Sequence, residues 1–178
     1  WNDVKDFYSG TEIKKHFTKL SEGNISIALK PQYVDKIPQM FDGTLRELLE
    51  KVASPEKVAE FATKINLTSL DKNLSKVSGG ELQKGAIAAT ILKEADLYFF
   101  DEPSSYLDIE QRIFMARMIS ELGETKSVIV IEHDLAILDY VTDNIHVMYG
   151  SPNAYGIVSP KLAVRNAINS YLDGYIQE

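Results

Sequence analysis

Two carboxylates stand side by side at Asp101 and Glu102, directly after the apolar run Leu97-Tyr98-Phe99-Phe100. Such a run suits a buried strand, and parallel sheets bind their ligands at the carboxyl edge. There one carboxylate can hold a divalent cation, usually through water, while its neighbour polarises an attacking water. For a string of this kind alone, a solvated acidic turn is the plain alternative. A second element, Ser78-Gly79-Gly80-Glu81-Leu82-Gln83, opens a helix expected to run to about Lys93. Paired glycines let backbone N–H groups approach a phosphate, and the helix turns its positive dipole end toward it. The Ser78 hydroxyl adds a donor, and Ser78 with Glu81 also has capping-box spacing, which does not conflict with a phosphate role. Third, His133 follows the apolar run Val128 to Ile131, within Glu132-His133-Asp134. An imidazole at a strand end can bond a terminal phosphate and position water. His16, on a helix, and His146, inside a strand, are assigned to structure.

The elements that must position these residues read as alternating helices and strands. Trp1, Val4, Phe7 and Tyr8 recur at helical spacing until Ser9-Gly10. Ser9 and Glu12 then suggest a capping box for a second helix, with Ile13, His16, Phe17 and Leu20 on one face and an end at Gly23. Ile25 to Leu29 is a strand candidate, followed by the loop Lys30-Pro31-Gln32-Tyr33-Val34-Asp35. Gly43 to Leu67 reads as helical, with Thr44 and Glu47 as a capping pair and Ser54-Pro55 as a fresh start. A helix from about Ile109 to Leu122 joins the two apolar strands. Strands near Ile145–Tyr149 and Gly156–Val158 precede a last helix after Pro160. The alternation predicts an α/β fold with a mostly parallel sheet. Gly85 falls inside the helix opened by Ser78, where glycine costs ~1 kcal/mol relative to alanine, and the sequence offers no reason for it.

Composition narrows the function classes. The 178 residues suit one domain, and a net charge of −7 argues against a generally basic nucleic-acid binder. With no cysteine, disulfides and thiolate metal sites are excluded from this chain. No apolar run approaches the ~20 residues of a membrane span, so a soluble, cytoplasmic protein with no membrane partner is expected. The chain starts at Trp1 without an initiator methionine, which reads as the cut end of a longer protein.

Taken in order, a glutamine loop at Gln32, the glycine signature, the acidic strand end, Ser105-Tyr106-Leu107-Asp108 and the strand-end His133 resemble the ATP-binding-cassette (ABC) ATPases. The resemblance implies ATP and Mg²⁺ as ligands. It assigns Gln32 to Mg²⁺ and the attacking water, and Ser78, Gly79, Gly80 and Glu81 to the signature motif. Asp101 becomes the metal-side Walker B aspartate, Glu102 the catalytic glutamate, Asp108 the D-loop aspartate at the nucleotide and His133 the switch histidine. Several strings narrow it: Lys30 to Asp35, Phe100 to Asp108, Glu132-His133-Asp134-Leu135 with Leu138-Asp139-Tyr140, Tyr149 to Gly156, and Val164 to Tyr175. These are similar to the first nucleotide-binding domain of the E subclass, the twin-cassette ribosome-recycling factors also called RNase L inhibitors. On that resemblance residues 1–22 are a helix-loop-helix insertion facing the ribosomal subunits. Residues 43–93 are a helical region ending in the signature helix, and 95–178 carry Walker B, D-loop and switch histidine.

The implied partner is a second nucleotide-binding domain packed head to tail, so that the signature faces the partner's ATP. The family's iron–sulfur domain needs cysteines, so no iron–sulfur cluster is expected in this chain. Val77 stands where leucine usually precedes the signature serine, and no Gly-x-x-x-x-Gly-Lys-Ser/Thr occurs in the 178 residues. The family places that P-loop upstream of the helix pair. The expectation is therefore a partial nucleotide-binding domain whose longer parent hydrolyses ATP. Alone it is expected to bind ATP weakly, to be inactive, and to expose strand edges that invite a non-native dimer. An ATPase subunit of a transporter and a non-catalytic interaction module on the same fold remain as other readings.

Overall fold

The computed structural model describes residues 1–151 and 153–174; Tyr175 and the rest of the carboxyl-terminal end lie outside the described residues. Three parallel strands form the central sheet: β1 (Ile27–Lys30), β2 (Leu97–Asp101) and β3 (Ser127–Ile131), in that spatial order. Leu29, Phe99 and Ile129 share one row, and Lys30, Phe100 and Val130 the next. The expected first strand thus sits two residues later, because Ser26 is drawn out of it. The Ser26 N–H and hydroxyl both donate to the Asp96 carboxylate, at 2.9 and 2.7 Å.

The pleat divides the sheet into two unlike faces. Ala28, Lys30, Tyr98 and Phe100 are buried beneath α6 (Gly79–Leu92). On the other face Leu29 is 58% and Ile129 47% exposed. β3 pairs with β2 and, among the described residues, with no strand on its other side. A cleft of about 970 Å³ runs along that free edge, lined by β3 and by the carboxyl-terminal elements.

The helical region is anchored on α6. Helix α4 (Leu45–Leu49) starts with the expected capping box: Thr44 Oγ1 accepts from the Glu47 N–H at 3.2 Å, and Glu47 Oε2 accepts from the Thr44 N–H at 2.8 Å. α5 (Pro55–Lys64) begins after Ser54, with proline at its first position. Between β1 and α4 the chain makes a 3₁₀ turn at Val34–Lys36 and then a short α3 (Ile37–Met40). Gly85 now has a reason, because a Cβ there would lie 2.6 Å from Leu45 Cδ1. Close approach of α4 and α6 offsets the propensity cost.

At the amino end α1 (Asn2–Phe7) and α2 (Glu12–Ser21) form the expected helix pair, and neither buries a residue. Their contact is aromatic, with Phe17 against Tyr8 at 5.3 Å and against Trp1 at 6.2 Å between ring centroids. The Ser9–Glu12 capping box does not form. Thr11 takes the cap position, and its hydroxyl donates to the Tyr8 carbonyl at 2.8 Å instead of accepting from the helix.

After β2, α7 (Ile109–Gly123) leads into β3 and packs on α8 (Leu135–Val141). The stretch read as one strand near Ile145–Tyr149 is two, β4 (Asn144–Ile145) and β5 (Met148–Ser151). β5 pairs antiparallel with β6 (Tyr155–Val158), and β4 with β7 (Leu162–Ala163), ahead of α9 (Val164–Leu172). His146 lies between β4 and β5 rather than inside a strand. Its Nδ1 is 2.9 Å from the Ser159 carbonyl, a structural contact.

Candidate nucleotide site

The carboxyl ends of β1, β2 and β3 bring together residues that lie far apart in sequence. Glu102 follows β2 with φ of +46°, a left-handed backbone that costs a non-glycine residue roughly 1–2 kcal/mol. Its Oε1 accepts from Gln32 Nε2 at 2.8 Å, across 70 residues of sequence. Its Oε2 accepts from the Ser105 hydroxyl at 3.3 Å. His133 Nδ1 lies 3.7 Å from Glu102 Oε1, and the imidazole is largely exposed at 70%. Gln32, Glu102 and His133 thus meet at one sheet edge, with Asp101 ending β2 beside them. That arrangement can orient a water molecule between a carboxylate, an amide and an imidazole.

Three residues that the sequence reading passed over hold this edge in place. Lys30 is fully buried at the end of β1, and its ammonium donates to the carbonyls of Asp101 at 2.6 Å and Glu102 at 3.1 Å. Burial lowers its pKa to about 8, against the pull of Asp101, Glu102 and Glu132. Gln83, also fully buried, donates Nε2 to the carbonyls of Glu102 and Pro103, both at 2.9 Å. Its Oε1 has no hydrogen-bond partner among the described residues. Glu132 takes its side chain out of solvent and accepts the N–H groups of His133 at 2.8 Å, Asp134 at 3.0 Å and Ser104 at 3.2 Å. A charged side chain ending an apolar strand was the signal for Lys30; nothing in the spacing marked Gln83.

The signature segment lies against the same turn. Tyr106, itself at φ +63°, covers Gly79, where a Cβ would meet its ring at 3.1 Å. A Cβ on Gly80 would be 3.1 Å from the Tyr106 carbonyl. The two glycines therefore admit the D-loop as well as leaving backbone N–H groups open. Ser78 caps α6, accepting from the Glu81 N–H at a long 3.4 Å. Only that half of the box forms. The Glu81 carboxylate turns instead to the N–H groups of Thr68 and Ser69, both at 3.1 Å, and pairs with the buried Lys84. Burial raises the pKa of Glu81, and the Lys84 ammonium with the Ser69 contacts outweighs it, so the carboxyl titrates below its usual range. Asp108 caps α7 through the Gln111 N–H at 2.9 Å. Arg112 ties the loop to the histidine turn, donating to the Leu107 carbonyl at 2.8 Å and to Asp134 at 2.9 Å.

The residues present fit a magnesium ion in the donor chemistry they offer. Among the described residues no group of three or more His, Cys, Asp or Glu side chains gathers into a cage. Mg²⁺ ordinarily takes one or two carboxylates and completes its shell with phosphate and water. Asp101 at the strand end and the Gln32 amide supply that kind of partial set.

The sequence profile of the ABC transporter family matches residues 5–105. The chain belongs to this family. It is 43% identical to translation initiation factor RLI1 of Saccharomyces cerevisiae, over 99% of this chain and 30% of that protein. Among solved structures, an RNase-L inhibitor superposes with a TM-score of 0.90 at 49% identity, covering 99% of this chain and 35% of the other. The same values describe an archaeal ribosome recycling factor solved in complex with an archaeal ribosomal stalk protein. The chain spans about three-tenths of the length of the curated relatives it matches. The fold is that of a fragment of an ABC nucleotide-binding domain, and its near relatives are the E-subclass RNase L inhibitors. Among the described residues, no helix is long and apolar enough to cross a membrane.

Proposed function

We propose that these residues form most of the first nucleotide-binding domain of a twin-cassette ATPase that splits and recycles ribosomes in the cytoplasm. The observation that carries the ATPase reading is the convergence on Glu102 of Gln32 at 2.8 Å and His133 at 3.7 Å, at the carboxyl edge of the sheet. In this reading Glu102 accepts a proton from the attacking water, Gln32 holds that water against the carboxylate, and His133 bonds the terminal phosphate. Asp101 and Gln32 would hold Mg²⁺, which supplies charge neutralisation at the phosphate oxygens when bound. Ser78, Gly79 and Gly80 with the start of α6 offer hydroxyl and backbone donors to the ATP of a second domain packed head to tail. Glu81 acts there by fixing the helix start through Thr68, Ser69 and Lys84. Asp108 shapes the D-loop between the two sites through its cap on α7.

Docking on ribosomal subunits through residues 1–22 has independent support. The helix pair buries no residue, leaves Phe7 82% exposed, and carries Lys5, Lys14, Lys15 and Lys19. A ribosome recycling factor is among the proteins it superposes on, which favours this partner over a transporter.

A polypeptide of these 178 residues contains no Gly-x-x-x-x-Gly-Lys-Ser/Thr, so the backbone nest and lysine that grip the β- and γ-phosphates are not among them. Two or more charge-assisted contacts of about 1.5–3 kcal/mol each are then lacking, and weak binding without turnover follows. Calorimetry with Mg²⁺-ATP tests this on the 178 residues and on a version extended upstream through the expected P-loop. Tight binding by the extended form alone is expected. Equally tight binding by the 178 residues would overturn the account of the cradle.

A further inference from the structure

We infer that Gln83 and Lys30 are positioning residues: together they clamp the main chain of Glu102 from beneath and so aim its carboxylate at the reacting water. This rests on the ATPase reading of Glu102 and adds to it how that group is held. Glu102 occupies a left-handed backbone, φ +46°, that an isolated glutamate seldom adopts. Such a conformation persists only where the surroundings over-determine it. Here its carbonyl accepts from Gln83 Nε2 at 2.9 Å and from Lys30 Nζ at 3.1 Å. The residues on either side are fixed by the same two side chains. Asp101 O accepts from Lys30 at 2.6 Å, and Pro103 O from Gln83 at 2.9 Å.

Both donors are fully buried, and each serves two carbonyls, so water cannot substitute for them without opening the core. They arrive from different elements. Lys30 ends β1, two residues before Gln32, which bonds the Glu102 carboxylate itself. Gln83 lies on α6, the helix whose first turn is the signature. One helix therefore presents the signature at its start and holds the proposed proton acceptor one turn later. The side chain of Gln83 is used unevenly. Its donor is used twice, while its acceptor has no hydrogen-bond partner among the described residues, which fits a group needed for its N–H bonds.

The test uses the extended, ATP-hydrolysing protein with Gln83→Met, which keeps bulk and removes both donors, and Gln83→Glu, which keeps shape and replaces the amide. Each is read by steady-state ATPase kinetics and by thermal melting. The clamp predicts a fall in kcat of ten-fold or more, with KM for ATP within about two-fold of the parent and a melting temperature that does not track the loss. Lys30→Met should lower kcat in the same way, and adding it to Gln83→Met should cost less than the product of the two, since both hold one carbonyl. An unchanged kcat in a folded Gln83 variant overturns the clamp and leaves the ATPase reading standing. No hydrolysis by the unaltered extended protein overturns the ATPase reading itself. Should neither Gln83 variant fold, side-chain amide exchange in the unaltered protein decides. Protection of the Gln83 NH₂ on the scale of core amides supports the clamp, and exchange at the solvent rate overturns it.

Discussion

The signature helix α6 and the opening pair α1–α2 are both helical surfaces proposed to meet a partner, yet they are built on opposite plans. From Leu82 to Ala88 every residue of α6 is buried, and the helix touches β1, β2, α4 and α5. The opening helices bury nothing and pack mainly on each other through Trp1, Tyr8 and Phe17. A helix packed on all sides passes displacement at its end to whatever its flanks hold, because close-packed interiors transmit strain. A helix that packs mainly on its twin can move or be remodelled with little disturbance to the sheet. The first plan suits an element coupled to chemistry, and the second suits a contact module.

Core truncation should expose this difference most strongly. Ile87→Ala, at a fully buried position of α6, is expected to lower stability by about 2–5 kcal/mol. Chemical denaturation measures this directly, and a loss below about 1 kcal/mol would mean that α6 is less tightly held than its burial indicates. Gly85→Ala comes next. Its Cβ would approach Leu45 Cδ1 to 2.6 Å, so overpacking of about 1–3 kcal/mol opposes a helix-propensity gain of ~1 kcal/mol. A net loss in melting temperature is expected, and a net gain would show that α4 yields easily.

A pH experiment sharpens the comparison at the helix start. The folded-state pKa of Glu81 is depressed, so its ion pair stabilises the fold above the unfolded value of about 4.3 and is lost as pH falls through the folded one. The denaturation midpoint should fall from pH 6 to pH 3.5, and Glu81→Gln should remove part of that slope. By contrast the Lys15–Glu12 pair of α2, at 2.9 Å but with side chains 74% and 86% exposed, should add little to stability, and Lys15→Ala should leave the denaturation midpoint nearly unchanged. The smallest effect is expected at Phe7→Ala, within about 0.5 kcal/mol in the free protein. If ribosome binding is measured in the extended protein, the same change should weaken it, and unchanged binding would count against docking through residues 1–22.

Much of the frame was legible because local rules set it. Thr44 with Glu47, Ser54 before Pro55, and the strand running from Leu97 into Asp101 all behave as short-range chemistry requires. Where local rules misled, a neighbour in space had intervened. Glu81 left the capping box because Lys84, Thr68 and Ser69 offered better partners. Ser26 left its strand for Asp96. Ser9 lost its cap to Thr11, a shift of two residues that helix starts commonly show.

The sequence by itself determined the order of the motifs and the chemical type of each group: a carboxylate pair after a strand, a glycine pair opening a helix, a histidine after the next strand. Side-chain chemistry and periodicity travel with the chain, so they can be read along it. Only the tertiary structure decided that Gln32 reaches Glu102 across 70 residues, and that Lys30 and Gln83 close on the Glu102 carbonyl across 72 and 19. A buried donor must take whichever acceptor the packed core leaves beside it, and that choice is fixed by the crossing of β1, β2 and α6 in space.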